Sequence, residues 1–169
     1  AGTRPKLIYT IPNFHNPAGV TMSLERRRRL LDLAQRWGII LLEDDAYGDL
    51  RYEGEGVPSL FSMDRQGVVV KLGSFSKILA AGLRLGWAAG QKDAIAALAS
   101  VRHDMGTSPL LARIVAEYMQ AGHLKPHIQR LGQGYRQKRD VTLSALWERC
   151  PPWVQWRKPE GGFFVWLEL

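Results

Sequence analysis

Residues 39–49, IILLEDDAYGD, contain the clearest indication of the fold. The run is continuously apolar up to Glu43 and does not alternate, which is typical of a strand buried on both faces of a parallel sheet. Polar turn residues follow at once. Two similar units lie elsewhere in the chain, namely KLIYT at 6–10 before NFHNPAG, and VVVKL at 68–72 before GSFSK.

A helix is expected between the first two strands. Ser23 is a good N-cap, apolar residues from Leu24 to Trp37 follow helical spacing, and Gly38 supplies a C-terminal stop. Strand, helix and strand in succession predict an α/β fold, with a mostly parallel sheet and helices on both faces. LGWAAG, at 85–90, predicts one more strand. The basic cluster ERRRRLLDLAQR within the helix is expected to form a solvated outer face.

The second half of the chain is predicted to be largely helical. Helices are expected at about 92–104, 109–121 and 126–149, although Gly132 and Gly134 are unfavourable in the last one. Pro151 and Pro152 end that helix, and GGFFVWLEL predicts a new strand. The pattern divides the chain into a domain at 1–121 and, at 122–169, a long connecting helix with the start of a small α+β domain.

Composition restricts the possible classes of protein. The chain has 169 residues, 46% of them hydrophobic and 23% charged, with a net charge of +7, as in many globular proteins. Its single cysteine, Cys150, excludes internal disulfides and multi-cysteine metal sites, which favours a reducing compartment such as the cytoplasm. The apolar runs are too short to span a membrane. The first residue is Ala1 and the last residues lie within a predicted strand, so we expect a fragment of a longer protein.

Three polar clusters directly follow strands, and in a parallel sheet the carboxyl ends of the strands meet at one edge, where ligands bind. Lys77 differs from an ordinary surface lysine because no acid follows it before Arg84. Apolar walls and positive neighbours lower the pKa of a lysine, as a nucleophilic amine requires. The residues that this edge should bring together are Asn16, Asp44, Tyr47, Ser74, Ser76 and Lys77.

These side chains suit a ligand with four distinct groups. A lysine amine can form an imine with an aldehyde, and an aspartate can hold a pyridine nitrogen protonated. An amide and a phenol can donate to a phenolate oxygen, while serine hydroxyls and an arginine suit a phosphate monoester. An aldehyde, a pyridine nitrogen, a phenolate and a phosphate together describe pyridoxal 5′-phosphate.

With these motifs the sequence resembles the class I/II aminotransferases of fold-type I, the aspartate-aminotransferase-like superfamily. Within them it is similar to the group of 2-aminoadipate and multi-substrate aminotransferases and to the aminotransferase-like domains of MocR-type regulators. The resemblance runs along essentially the whole chain. It implies that 1–121 is part of the large cofactor-binding domain, and that the full-length protein is a homodimer that moves an amino group from an amino acid to a 2-oxo acid.

The resemblance also implies a role for each site residue. Lys77, in SFSK, matches the catalytic lysine that forms the Schiff base and shuttles a proton. Asp44, in DDAY, matches the partner of the pyridine nitrogen, whereas Asp45 is expected to point away. Asn16, in NPAG, and Tyr47 match the two donors to the phenolate oxygen. The phosphate ligands are matched by Ser74 and Arg84, with Ser76 assisting.

Two other functions remain open. MocR-type regulators join a winged-helix DNA-binding domain to this fold and sense the cofactor, so nucleic acid would be a partner only if such a domain preceded Ala1. A lyase of the same fold would use Lys77 and Asp44 as well, but would release pyruvate and ammonia without an acceptor. A metal site is not expected, because no glutamate follows His123 and Pro126 interrupts its pairing with His127.

Overall fold

The computed structural model of the protein describes residues 5–103 and 106–169. Residues 1–4 of the expected first domain, and residue 104 of the helix expected at 92–104, lie outside this description. The strands are β1 (Leu7–Thr10), β2 (Ile40–Asp44), β3 (Val69–Ser74), β4 (Gly86–Ala89), β5 (Gln155–Trp156) and β6 (Leu167–Glu168). The α-helices are α1 (Leu24–Trp37), α2 (Leu60–Met63), α3 (Lys92–Ser100), α4 (Pro109–Gln120) and α5 (Leu124–Arg149), with 3₁₀ turns at Gly48–Leu50 and Ala81–Leu83.

The main sheet has four strands in the order β1-β2-β3-β4. The first three strands are parallel and β4 is antiparallel to β3. Thr10 pairs with Glu43, and Asp44 pairs with Leu72 on the other side of β2. The prediction of an α/β fold with a mostly parallel sheet is therefore confirmed, and the carboxyl ends of β1, β2 and β3 share one edge.

Helices α1 and α2 cover one face of this sheet. The core on that face contains Leu31, Ala34, Ile39, Leu41, Leu60 and Val69. As predicted, the Ser23 hydroxyl caps α1 by accepting from the Arg26 N–H, and Gly38 ends the helix in the left-handed conformation with φ 56°. On the opposite face Leu7 and Tyr9 of β1 remain about half exposed.

A second core lies where the long helix α5 packs against the site loops. It contains Phe14, Tyr47, Leu50, Phe75, Ile78 and Val115. Gly132 does not interrupt α5, which is continuous over 26 residues. A Cβ at Gly132 would lie 3.8 Å from the Arg51 carbonyl oxygen, which is ordinary van der Waals contact. None of the described helices is long and apolar enough to cross a membrane.

The expected C-terminal strand is much shorter than GGFFVWLEL suggested, since β6 contains two residues and pairs with β5. The segment between them is held by ionic contacts at Glu53. The guanidinium of Arg139 lies 2.5 Å from one Glu53 oxygen, and the Lys158 amine lies 3.0 Å from the other. Hydrogen bonds from Arg139 and Lys158 lower the pKa of Glu53 to about 2. These contacts join the loop after the first 3₁₀ turn to α5 and to the C-terminal segment.

Candidate active site

Arg27 binds the loop that follows β1. Its burial corrects the prediction that the basic cluster of α1 is a solvated face. Arg26, Arg28 and Arg29 are exposed as expected, but the side chain of Arg27 is completely buried. Its guanidinium donates to the backbone carbonyls of Met22, Pro12, Val57 and Pro58 and to Asn13 Oδ1. Loop carbonyls have no partner in a helix or sheet, so a buried arginine that can donate five hydrogen bonds satisfies them. The expectation of a uniformly solvated basic face was wrong at this position.

The same network continues across the sheet edge through Asp45. Asn13 Nδ2 donates to Asp45 Oδ1 at 2.6 Å, and the Lys71 amine lies 2.7 Å from Asp45 Oδ2. Asp45 therefore points to the α1 side of the sheet and away from Asp44, as expected. The chain Arg27–Asn13–Asp45–Lys71 connects the β1 loop to the ends of β2 and β3 and supports the site from behind.

Asp44 is the last residue of β2 and points to the opposite face. The Tyr9 hydroxyl donates to Asp44 Oδ2 at 2.5 Å, and the Ala46 N–H donates to Asp44 Oδ1 at 3.2 Å. Partial burial and the hydrogen bond to Asp44 raise the pKa of Tyr9 to about 12, so this phenol is protonated at neutral pH. Asp44 thus has a donor on each oxygen and retains free acceptor capacity on both.

Asn16 and Tyr47 meet on the outer side of the same edge. Burial raises the pKa of Tyr47, and a hydrogen bond from the Asn16 side chain opposes this increase. The Tyr47 ring is only 7% exposed and meets the edges of Phe163 and Phe164, at centroid distances of 5.7 and 5.6 Å. Asn16 itself is exposed. An amide and a phenol are therefore held side by side, with the amide open to a ligand.

Ser74, Ser76 and Arg84 form a second group at the end of β3. The Ser76 N–H donates to Ser74 Oγ at 3.2 Å, and Arg84 Nη1 lies 3.5 Å from Ser76 Oγ and 3.3 Å from the Ala81 carbonyl. Arg84 adopts the left-handed conformation with φ 49°, which is uncommon for a residue other than glycine. Two hydroxyls and an exposed guanidinium thus lie near one another after β3, a donor set that suits a phosphate.

Lys77 follows Ser76 in the turn after β3 and is half-buried between the buried residues Phe75 and Ile78. Over residues 5–103 and 106–169, no carboxylate forms an ion pair with it. Lys71, on the same strand unit, is in contrast paired with Asp45. The two lysines therefore differ, since Lys71 has an acidic partner and Lys77 has none among the described residues.

Comparison with known proteins identifies the family at this point. The model of the family "Aminotransferase class I and II" matches residues 2–169. The chain belongs to this family. The sequence interpretation as a class I/II aminotransferase chain is confirmed.

Individual relatives share the fold and much of the sequence. Aromatic-amino-acid aminotransferase 1 of Thermococcus litoralis is 45% identical over 170 residues, which cover 99% of this chain and 41% of that protein. The crystal structure of a Pyrococcus horikoshii kynurenine aminotransferase superposes with a TM-score of 0.92 at 43% identity, over 97% of this chain and 41% of that one. The uncharacterised HTH-type transcriptional regulator YisV of Bacillus subtilis is 37% identical over 96% of this chain and 34% of its own length. The chain thus spans less than half of each relative.

Sequence reasoning missed the residues that support the site. Tyr9, Asn13 and Arg27 act through side-chain contacts across 15 to 35 positions of sequence. Side chains alternate between the two faces of a strand, and the carboxyl ends of parallel strands are aligned. This alternation in β1 could have predicted that Tyr9 lies on the same face of the sheet as Asp44. No local pattern distinguishes Arg27 from its three arginine neighbours except its helical position, four residues before Leu31, which is also buried.

Proposed function

We propose that the protein containing this chain is a pyridoxal 5′-phosphate-dependent aminotransferase that moves an amino group from an amino acid to a 2-oxo acid. The observation that carries the proposal is Lys77, a half-buried lysine without an acidic partner in the described part of the chain. It follows the linked side chains of Ser74, Ser76 and Arg84 at the end of β3. Family membership supports it.

The donor set at the sheet edge fits each group of this cofactor. Asn16 and Tyr47 offer an amide and a phenol for the phenolate oxygen, and the two side chains are near enough for the amide to lower the pKa of the phenol. Asp44 offers acceptor capacity for a protonated ring nitrogen. The hydroxyls of Ser74 and Ser76 and the Arg84 guanidinium would hold the phosphate, and the Lys77 amine would bond to the aldehyde carbon.

The bound cofactor supplies an electron sink for the carbanion that forms when the amino acid loses its Cα proton. Within the proposed mechanism, Lys77 would take and return that proton on its amine nitrogen, once the amino group of the substrate has displaced it from the aldehyde carbon. Asp44 would accept the ring N–H, because a carboxylate there stabilises positive charge on the ring nitrogen. Asn16 and Tyr47 would donate to the phenolate oxygen.

Three further features belong to the same proposal. Residues 1–121 form part of the large cofactor-binding domain, and 122–169 form the connecting helix and the start of the small domain. The full-length protein is a homodimer in the cytoplasm, which the single cysteine suits. A monomer in sedimentation at micromolar concentration would contradict the dimer, and secretion of the mature protein would contradict the compartment.

Lys77→Ala in the full-length protein tests the function. The visible absorption band of bound cofactor should disappear, and amino transfer to 2-oxoglutarate should fall by about 100-fold or more, as when a general acid–base group is removed. Lys92→Ala is the matched control, since Lys92 is exposed at the start of α3. It should change neither readout. A band that persists in Lys77→Ala would mean that another lysine bonds to the cofactor.

A transcriptional regulator is the second candidate, because an HTH-type regulator matches nearly the whole chain. In that case the same residues would bind the cofactor as an effector. Glutamate formation from an amino acid and 2-oxoglutarate by the full-length wild type favours the enzyme. Cofactor binding without turnover, together with cofactor-dependent DNA binding, favours the regulator, and pyruvate and ammonia release without an acceptor would indicate a lyase.

A further inference from the structure

The contact between Tyr9 and Asp44 joins two strands at the centre of the candidate site. Tyr9 pairs with Leu42 in the β1–β2 register, so Asp44 lies two residues further along β2 on the same face. Diagonal neighbours of this kind are within reach of a long aromatic side chain. The Tyr9 hydroxyl reaches Asp44 Oδ2 at 2.5 Å, the distance of a charge-assisted O–H···O⁻ hydrogen bond.

Two donors on different segments restrain the Asp44 carboxylate. Tyr9 approaches Oδ2 from β1, whereas the Ala46 N–H approaches Oδ1 from the backbone after β2. A carboxylate with one donor can rotate about χ2, but two donors on opposite oxygens define its plane. Each oxygen keeps acceptor capacity, because a carboxylate has about four lone-pair sites.

The Tyr9 ring lies on the open face of the sheet in this chain. Tyr9 is 54% exposed, and its neighbour on the same face, Leu7, is 47% exposed. The hydrogen bond of the Tyr9 hydroxyl is to Asp44, so what the hydroxyl fixes directly is the position of that carboxylate.

We propose that Tyr9 is a positioning residue for a cofactor ring nitrogen: its hydroxyl holds the Asp44 carboxylate in the orientation that accepts the ring N–H. The inference rests on the proposed function, since it requires pyridoxal phosphate at this edge. It assigns a role to a residue that does not itself touch the cofactor. Loss of the hydroxyl should weaken only those interactions that depend on the ring nitrogen.

The test compares two ligands that differ in one ring atom. Dissociation constants of the full-length protein are measured for pyridoxal phosphate and for its 1-deaza analogue, in which C–H replaces the ring nitrogen. Tyr9→Phe, which removes only the hydroxyl, should weaken pyridoxal phosphate binding roughly fivefold, the size of one partly exposed hydrogen bond. Binding of the deaza analogue should be unchanged, because Lys77 and the phosphate ligands serve both compounds equally.

Two controls separate positioning from a structural role. Tyr118→Phe, on α4 and beside His123, should change neither dissociation constant. In an Asp44→Asn background, Tyr9→Phe should have no further effect on the ratio of the two constants, since the coupling acts through Asp44.

Three outcomes would overturn the inference. Equal weakening of both ligands by Tyr9→Phe would show a general structural effect, and no weakening of either would show that the hydroxyl is dispensable. A ratio that still changes in the Asp44→Asn background would show that Tyr9 does not act through Asp44. If the wild type binds neither compound, the proposed function fails and the inference with it. If the wild type binds pyridoxal phosphate normally, only the role of Tyr9 is at issue.

Discussion

The two faces of β2 carry carboxylates in opposite surroundings. On the α1 side, Glu43 is fully buried and accepts from the N–H groups of Leu60 and Phe61, while Asp45 is bound to Asn13 and Lys71. On the other side, Asp44 is partly exposed and its side chain meets a half-exposed tyrosine and one backbone N–H. One face is saturated with contacts, and the other retains acceptor capacity.

This difference shows how adjacent residues of the same chemistry acquire different tasks. Successive side chains of a strand point to opposite faces, so Asp44 and Asp45 are neighbours in sequence but separated by the sheet. The buried face uses charge to join loops, and the partly open face leaves charge available for a ligand. Variants on each face should therefore affect different measurements.

The largest effect is expected at Arg27, on the buried face. Arg27→Met should lower the free energy of unfolding by about 3–5 kcal/mol, because it leaves loop carbonyls, Asn13 and nearby carboxylates without their cation. Urea denaturation of the full-length protein measures it. Arg28→Met, one position further on the exposed side of α1, should stay within about 0.5 kcal/mol of wild type. Equal effects of the two variants would contradict the burial of Arg27.

Asparagine variants of Asp44 and Asp45 test the difference between the two faces directly. Asp44→Asn should reduce amino transfer by about 100-fold or more while changing the free energy of unfolding little, as expected for loss of a preorganised charge in a site. Asp45→Asn should do the reverse and destabilise the fold by about 1–3 kcal/mol through its contacts with Asn13 and Lys71. Turnover and urea unfolding are measured on both. If Asp45→Asn were the variant that abolished turnover, the roles assigned to Asp44 and Asp45 would be wrong.

The smallest effect concerns the ionisation of Tyr9. Its folded-state pKa is about 12, above the ordinary value of 10.0. Because the folded pKa is raised, the contribution of the protonated phenol is fully present below pH 10 and is lost as the pH rises toward 12. Tyrosinate absorbance after rapid mixing to high pH should show one tyrosine titrating near pH 12 in wild type but not in Tyr9→Phe. An unchanged titration would place the Tyr9 hydroxyl away from Asp44.

Periodicity and chain order were sufficient to predict most of the fold. The apolar runs predicted β1 to β4 to within two residues at each end, and Ser23 and Gly38 predicted both ends of α1, because these signals act over one turn of chain. The C-terminal strand was wrong in length. The chain at its start contacts distant segments instead: Arg51 binds Glu160, the Tyr52 hydroxyl donates to the Gly162 carbonyl, and the Gly162 N–H donates to the Leu50 carbonyl. Local patterns do not register such contacts.

The residues of the candidate site also fall into two groups, those that the sequence predicted and those that only the tertiary structure revealed. The residues proposed to touch a ligand could be found from sequence, since each follows a strand and the ends of parallel strands coincide. The residues that hold them in place were decided only by the tertiary structure. Arg27 differs from Arg28 by which side of a helix meets the sheet, and Tyr9 matters because the β1–β2 register places it diagonally to Asp44. The roles of Arg27 and Tyr9 both depend on how distant segments pack, and this packing cannot be deduced from the neighbouring residues in the sequence.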